Sequence, residues 1–198
     1  MFLSKLYSVL RFISQHPLNK NKKLRSFIRF LNWQLSSRFF FKKKKFKWID
    51  DSILVAYRGE AAVTGSLYTG LLDFNEMSFL LHYLEQNDTF VDVGANSGVY
   101  TVLASKVVGC KSISIEPIKN SLERIKEHLK LNNIEKLVQL YNCGVGKKED
   151  KLFITNQNDS TNRVVSKNSS DQNILCEIKS LNLILEKKNS YVIKIDTE

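Results

Sequence analysis

Proline is nearly absent, with two residues in 198, and glycine contributes only eight. Collagen-like and low-complexity repeats are thereby excluded. Cysteine is scarce as well: Cys110, Cys143 and Cys176 are odd in number and lack paired ligand spacing, so neither a disulfide framework nor a metal site is expected. The apolar run after Lys5 breaks at Arg11, and no stretch approaches the roughly 18 to 20 apolar residues that a membrane span requires. With no signal peptide or span evident, the expected location is cytoplasmic, with a peripheral position at the inner membrane face as a variant. A further absence is of one sign of charge. Residues 1–49 carry 13 Lys and Arg and no acid, which leaves 17 of the 30 cations facing all 20 acids in residues 50–198. The excess of ten positive charges therefore belongs to the N-terminal quarter. What is present is globular: 43% hydrophobic, 25% charged and 11% aromatic residues, in a length that suits one domain and an appendage.

Residues 1–49 read as a basic helical extension and residues 50–198 as the main domain. Leu3, Leu6, Tyr7, Leu10 and Ile13 fall on one helical stripe, which His16 and Pro17 end. In a second helix, Leu24, Phe27, Ile28, Leu31 and Leu35 are the expected apolar face, with Lys22, Arg25 and Arg29 on the other side. The lysine-rich FFFKKKKFKW, Phe39 to Trp48, follows. A helical pair docked with its charges in water accounts for this segment. A surface for anionic lipid or another polyanion accounts for it too, and explains why 13 cations occur without one anion.

Further on, Asp73 and Glu76 have capping-box spacing before a helix with Phe74, Met77, Leu81 and Leu84 on one face. The short apolar strand Thr89 to Val93 runs into the turn Gly94 to Gly98, and a helix from Val99 to Val108 closes at Gly109. The strand Ser112 to Ile115, the helix Asn120 to Leu131 and the strand Leu137 to Tyr141 complete a β-α-β-α-β alternation. That order predicts an α/β fold, a parallel sheet with helices on its faces and ligands at the carboxyl ends of its strands. Lys151 to Thr155 and Ile174 to Lys179 read as extra strands around a polar loop, Leu181 to Glu186 as a short helix, and Tyr191 to Ile195 as a buried strand ending at Asp196.

The turn VDVGANSG is the centre of the chemistry. Gly94, Ala95 and Gly98 lack bulk, so backbone N–H groups there are expected to approach a ligand at a helix start. The spacing is not the dinucleotide fingerprint, and Asp92 beside the cradle would repel a pyrophosphate. It suits a zwitterion carrying a sulfonium, such as S-adenosylmethionine. Glu116, ending the second strand about 20 residues on, stands where ribose hydroxyls are held in nucleotide-binding folds. Asn142 is placed to reach a base edge, while Gly144 and Gly146 fit a simple turn. His82 and His128 lie within helix patterns and read as exposed or packing residues, and His16 as part of a helix stop.

FVDVGANSGVYTVLAS, SIEP, YNCGVGKKE and SLNLILEKKNSYVIKIDTE together resemble the FkbM family of S-adenosylmethionine-dependent methyltransferases over roughly Leu71 to Glu198. The resemblance implies a class I methyltransferase, Rossmann-like parallel sheet, of which strands one to four are present. It further implies O-methylation of a sugar, glycan or related small-molecule acceptor. Asp92, Gly94, Asn96 and Gly98 would line the methionine end and Glu116 the ribose. Asp196, in KIDTE, would lie beside the transferred methyl, with Asp196 or Glu198 as the general base for an acceptor hydroxyl, or Asp196 only orienting donor or backbone. The family motif continues with glycine where this sequence stops, which reads as a C-terminally truncated chain.

Competing readings are weighed against that one. A nucleotide-dependent oxidoreductase is opposed by Asp92 and the glycine spacing. Sequence-specific nucleic-acid binding is not expected, and Asp196-Thr197-Glu198 is unlike the Pro-Pro-aromatic strand end of base-amino methyltransferases. An inactive truncated fragment, holding anionic lipid or polyanion through its basic helices, is the alternative to an enzyme.

Overall fold

The computed structural model describes residues 2–155, 164–165, 173–185 and 191–196. The chain divides into two compact units, Met1–His82 and Tyr83–Glu198. The N-terminal unit contains α1 (Phe2–Gln15), α2 (Lys23–Phe39), β1 (Lys43–Lys47), β2 (Ile53–Tyr57) and α3 (Ala61–Thr69), and α4 (Phe74–Tyr83) closes it. In the second unit come β3 (Thr89–Val93), α5 (Val99–Val102), β4 (Lys111–Ile115), α6 (Lys119–Asn132), β5 (Val138–Tyr141), β6 (Gly144–Val145), β7 (Asp150–Thr155), β8 (Val164–Val165), β9 (Asn173–Lys179), α7 (Leu181–Ile184) and β10 (Tyr191–Ile195).

The expected stop at His16 is present. Its Nδ1 accepts the Leu18 N–H at 3.3 Å, its ring stands edge-on to Phe12 and Phe74, and a single 3₁₀ turn, Pro17–Asn19, follows. Asn19 then bridges the two helices, donating from Nδ2 to the Ile13 carbonyl at 3.0 Å and accepting the Ser26 hydroxyl at 2.7 Å. The face that α2 buries is not the expected one, of which Phe27 alone is half-buried. Ser26, Phe30, Trp33 and Ser37 are buried, whereas Leu24, Ile28, Leu31 and Leu35 are exposed. Small hydroxyl residues allow close approach, and Phe30 fills the space edge-on to Tyr68 of α3, with ring centroids 5.3 Å apart. An aliphatic count weighs only hydrophobicity and misses this fit.

The lysine-rich segment is a strand, a feature periodicity did not suggest. β1 pairs antiparallel with β2 from Lys43↔Tyr57 to Lys47↔Ile53, and β2 buries Leu54, Val55 and Ala56 beneath it. The charge break at residue 49 thus falls inside a hairpin, and the compact unit continues to His82. The Trp48 indole N–H donates to the Gly70 carbonyl, which ties the hairpin to the end of α3.

The expected alternation holds in the second unit. Its main sheet has the order β10-β3-β4-β5, all parallel, which corresponds to strands 4-1-2-3 of the anticipated class I sheet. Val91, Val93, Ile113 and Ile115 form one core with Cys143 and Ile184. The helix after the turn is α5 continued by a π-helical segment, Leu103–Val108, and Gly109 ends it in the left-handed region at φ 87°. A second sheet, β6-β9-β7-β8, carries Ile154, Cys176 and Ile178 on its core side. Gly144 and Gly146 are more than a turn here. A Cβ on either would lie 2.7 or 2.6 Å from Ile178, so their lack of a side chain allows β6 to run beside β9. β10 is less buried than its apolar sequence suggests, with Ile193 and Ile195 exposed. The three cysteines are buried and unpaired, and burial, with Asp88 nearby, pushes the Cys110 thiol up to about 11. Glu186 and residues 156–163 and 166–172 of the expected polar loop, Asn156 to Asn173, lie outside the described residues, and β8 falls within that loop.

Burial holds the His16 imidazole below its ordinary value. The unfolded chain therefore binds more protons between the folded value and about 6.5, so this contribution is intact above that range and is lost as pH falls through it. Denaturant titrations should show the stability advantage of the native chain over His16→Gln shrinking between about pH 7.5 and 5.5. A gap that widens as pH falls would contradict this assignment.

Candidate active site at the strand ends

A parallel sheet directs the carboxyl ends of all its strands to one edge. Here that edge gathers Asp92 and the 94–98 turn from β3, Glu116 just past β4, Asn142 just past β5 and Asp196 just past β10. Backbone bonds continue the ladder beyond the strands: the Glu116 N–H donates to Tyr141 and the Asp196 N–H to Val93. The residues expected to form a site are thus adjacent, although Glu198 lies outside the described residues.

The turn differs in one respect from the expected anion cradle. The N–H groups of Gly94 and Ala95 both donate to the Ile115 carbonyl, that of Gly98 to Ala95, and that of Asn96 to Glu116 Oε2 at 2.8 Å. Buried amides must find acceptors, and these have found them within the protein. The anion at the turn is Glu116 itself. Its other oxygen, Oε1, accepts the Ile118 N–H at 2.8 Å, so one carboxylate joins the turn to the start of α6. Burial raises the Glu116 carboxyl above the usual range, against the pull of these two amides, and the negative charge of Asp92 adds to the rise.

Gly98 has its own constraint. It sits at φ 77°, and a Cβ there would approach Ile125 Cγ1 of α6 to 3.1 Å, so its missing side chain serves helix packing. Asn96 also takes a left-handed conformation, at φ 49°. Asn142 is exposed and clamps the end of β4, donating from Nδ2 to the carbonyls of Glu116 and Pro117, each at 2.9 Å.

Residues absent from the sequence-based site complete it. Lys194 lies opposite Asp92 in the β10–β3 register, and its ammonium meets Asp92 Oδ1 at 3.3 Å and Asp196 Oδ2 at 3.4 Å, 4.7 Å from the Tyr100 ring centre. Burial draws the Lys194 ammonium down, but the two carboxylates outweigh it and hold the group above its ordinary value. On the other side of Asp92, Oδ2 accepts the Thr101 hydroxyl at 2.8 Å, and Thr101 and Ser114 share a hydrogen bond of 2.7 Å. His128, fully buried in α6, donates from Nδ1 to the Ser97 carbonyl at 2.7 Å and so holds the turn from below. A legible signal for Lys194 was the lone cation in YVIKI, since a buried aspartate in the neighbouring strand needs one. Asp196 is 76% exposed, so it is open to solvent while Asp92 is fully buried.

Two stability outcomes follow from this geometry. Gly98→Ala should cost about 1 to 3 kcal/mol in urea unfolding, and Ile125→Val should restore only part of it, because the backbone strain remains. Lys194→Met should cost about 3 to 5 kcal/mol by leaving Asp92 buried beside no cation, and adding Asp92→Asn should recover much of that. Additive losses in the double variant would show that the pair is not coupled.

A protein-family model described as the Vibrio cholerae RfbT protein matches residues 63–198. The ribosomal protein L11 methyltransferase of Dictyoglomus thermophilum is 32% identical over 129 residues, 65% of this chain and 42% of that protein. Its namesake in Thermotoga neapolitana is 30% identical over 73 residues, 36% of this chain and 28% of that protein. The chain thus spans less than half the length of these curated relatives. Among solved structures, TYW2 of P. horikoshii in complex with MeSAdo is 13% identical, covering 63% of this chain and 50% of that one, with a TM-score of 0.43. The matched family region takes in the whole main sheet and every strand end described above, and on that match the chain belongs to the Vibrio cholerae RfbT protein family.

Proposed function

We propose that the strand-end site binds S-adenosylmethionine and that the protein methylates a hydroxyl oxygen of a sugar, glycan or related small molecule. The observation that carries this reading is the acid at the end of the second strand, Glu116, set beside the Asp92, Lys194 and Asp196 cluster at one edge of a 4-1-2-3 parallel sheet. The methyltransferase relatives support methyl transfer as the activity. The resemblance of the strand-end motifs to the FkbM family supports an oxygen acceptor.

The donor set fits the ligand. Each Glu116 oxygen accepts one amide and retains capacity for a ribose hydroxyl, and a vicinal diol requires two such acceptors. Asp196, being exposed, suits an ammonium, and Lys194, which the buried Asp92 holds in place, supplies the cation for a carboxylate, a part that the turn amides bonded within the protein do not play. Asn142 fixes the loop on which a base would rest. S-adenosylmethionine, when bound, supplies an activated methyl for in-line displacement, so the protein contributes chiefly alignment and exclusion of water. In this reading Asp196, exposed and held at Oδ2 by Lys194, takes the acceptor hydroxyl proton or orients the hydroxyl.

Calorimetry with S-adenosylhomocysteine tests the proposal. The native chain should bind, and Glu116→Ala should weaken binding by about tenfold or more, through lost charge-assisted bonds to the ribose. Far-ultraviolet dichroism of the variant separates this loss from unfolding. Preferred binding of NAD, or equal affinity in a folded Glu116→Ala chain, would refute the assignment. A radiolabelled methyl-transfer assay on glycan hydroxyls then addresses the acceptor.

A further inference from the structure

Helix α2 turns outward the residues most suited to a core. Leu24, Ile28, Leu31 and Leu35 are 75, 48, 55 and 56% exposed. At about 100° per residue they share, with Phe39, one strip roughly 80° wide, on the side opposite the buried Ser26, Phe30, Trp33 and Ser37. Phe40 and Phe41 extend the patch past the helix end, at 77 and 65% exposure. Contiguous exposed apolar surface of this kind marks an interaction site.

The charges around the strip identify its occupant. Arg25 and Arg29 flank it on one side and Arg38 on the other, and the exposed Lys42, Lys43, Lys44, Lys45 and Lys47 follow directly. No acid occurs in residues 1–49. A second copy would set 13 cations against 13 with no acid in the segment to offset them. A nucleic acid would satisfy the cations and leave four aliphatic side chains in water. A groove that wraps a helix could not close, since the opposite face of α2 is packed in its own unit. A flat anionic surface with an apolar interior satisfies both features, and no helix among the described residues is long and apolar enough to cross it.

We propose that α2 lies in the plane of an anionic bilayer. Leu24, Ile28, Leu31, Leu35 and Phe39 to Phe41 enter the acyl boundary, and the flanking arginines and β1 lysines meet headgroup phosphates. The test uses the full chain with vesicles of phosphatidylcholine alone and with about 30% phosphatidylglycerol. Sedimentation should show binding at least about tenfold stronger to the anionic vesicles, falling as salt rises. Ile28→Glu with Leu35→Glu, at positions already in water, should preserve the dichroism spectrum and reduce binding by about tenfold or more. Lys42→Ser, Lys43→Ser, Lys44→Ser and Lys45→Ser together should have a similar effect. A Phe40→Trp chain should shift its emission to the blue on vesicles and be quenched by brominated acyl chains. Equal binding to neutral vesicles, or anionic binding indifferent to the glutamates, overturns the proposal. So does a dimer that the glutamates dissociate in a chain that binds no vesicle, which would assign the strip to a second copy.

Discussion

Asp92 is fully buried in the central strand of a parallel sheet, and an unpaired charge there would cost several kcal/mol. Lys194 supplies the cation from the adjacent strand, at the position directly opposite in register. Sliding β10 by one residue would turn the ammonium to the other face of the sheet and leave the carboxylate alone. The ion pair therefore selects one register for β10, and that register sets Asp196 at the strand end, where the same ammonium holds it. Thr101 and Ser114 complete the arrangement from α5 and β4, so one buried carboxylate links three strands and a helix.

The glycine turn is organised on the same principle from the other side. The amides of Gly94, Ala95, Asn96 and Gly98 are consumed by Ile115, Ala95 and Glu116, and the Ser97 carbonyl is held by His128. A turn fixed at both faces costs little reorganisation when a ligand arrives. Glu116 is held by two amides that favour its charged form, while burial pushes it toward the neutral one. A ligand offering hydroxyl donors would add to the effect of the amides.

Much of this was legible in the sequence. The parallel sheet, the turn, and the gathering of Asp92, Glu116, Asn142 and Asp196 at one edge follow from alternation and from strands that end in polar residues, while the strand order is what the family resemblance implied. Long-range pairing was less accessible. Lys194 lies 102 residues from Asp92, and only the strand order brings them together. His128 read as an exposed or packing residue, and its burial fits the second, but its bond to Ser97, 31 residues away, was not legible. The inward face of α2 was hidden for a different reason: serines beside large aromatics pack through shape, which hydrophobic periodicity does not score. β1 was hidden by its lysines, whose propensity for strands is low and whose pairing depends on the apolar β2.

The misread helix face bears on the proposed surface. The N-terminal unit has a core of its own, from Ile13, Phe30 and Trp33 to Leu54, Val63 and Leu67, and it is complete without the outer strip of α2. Apolar side chains left in water contribute no burial free energy to folding, and they favour association of any chain that displays them. Seven large ones, Leu24, Ile28, Leu31, Leu35 and Phe39 to Phe41, stand together here among cations that oppose self-association. Repulsion between copies and attraction to an anionic surface come from the same arginines and lysines. On the proposed reading, the strip's cost in water is offset only where both its charge and its apolar face are met together.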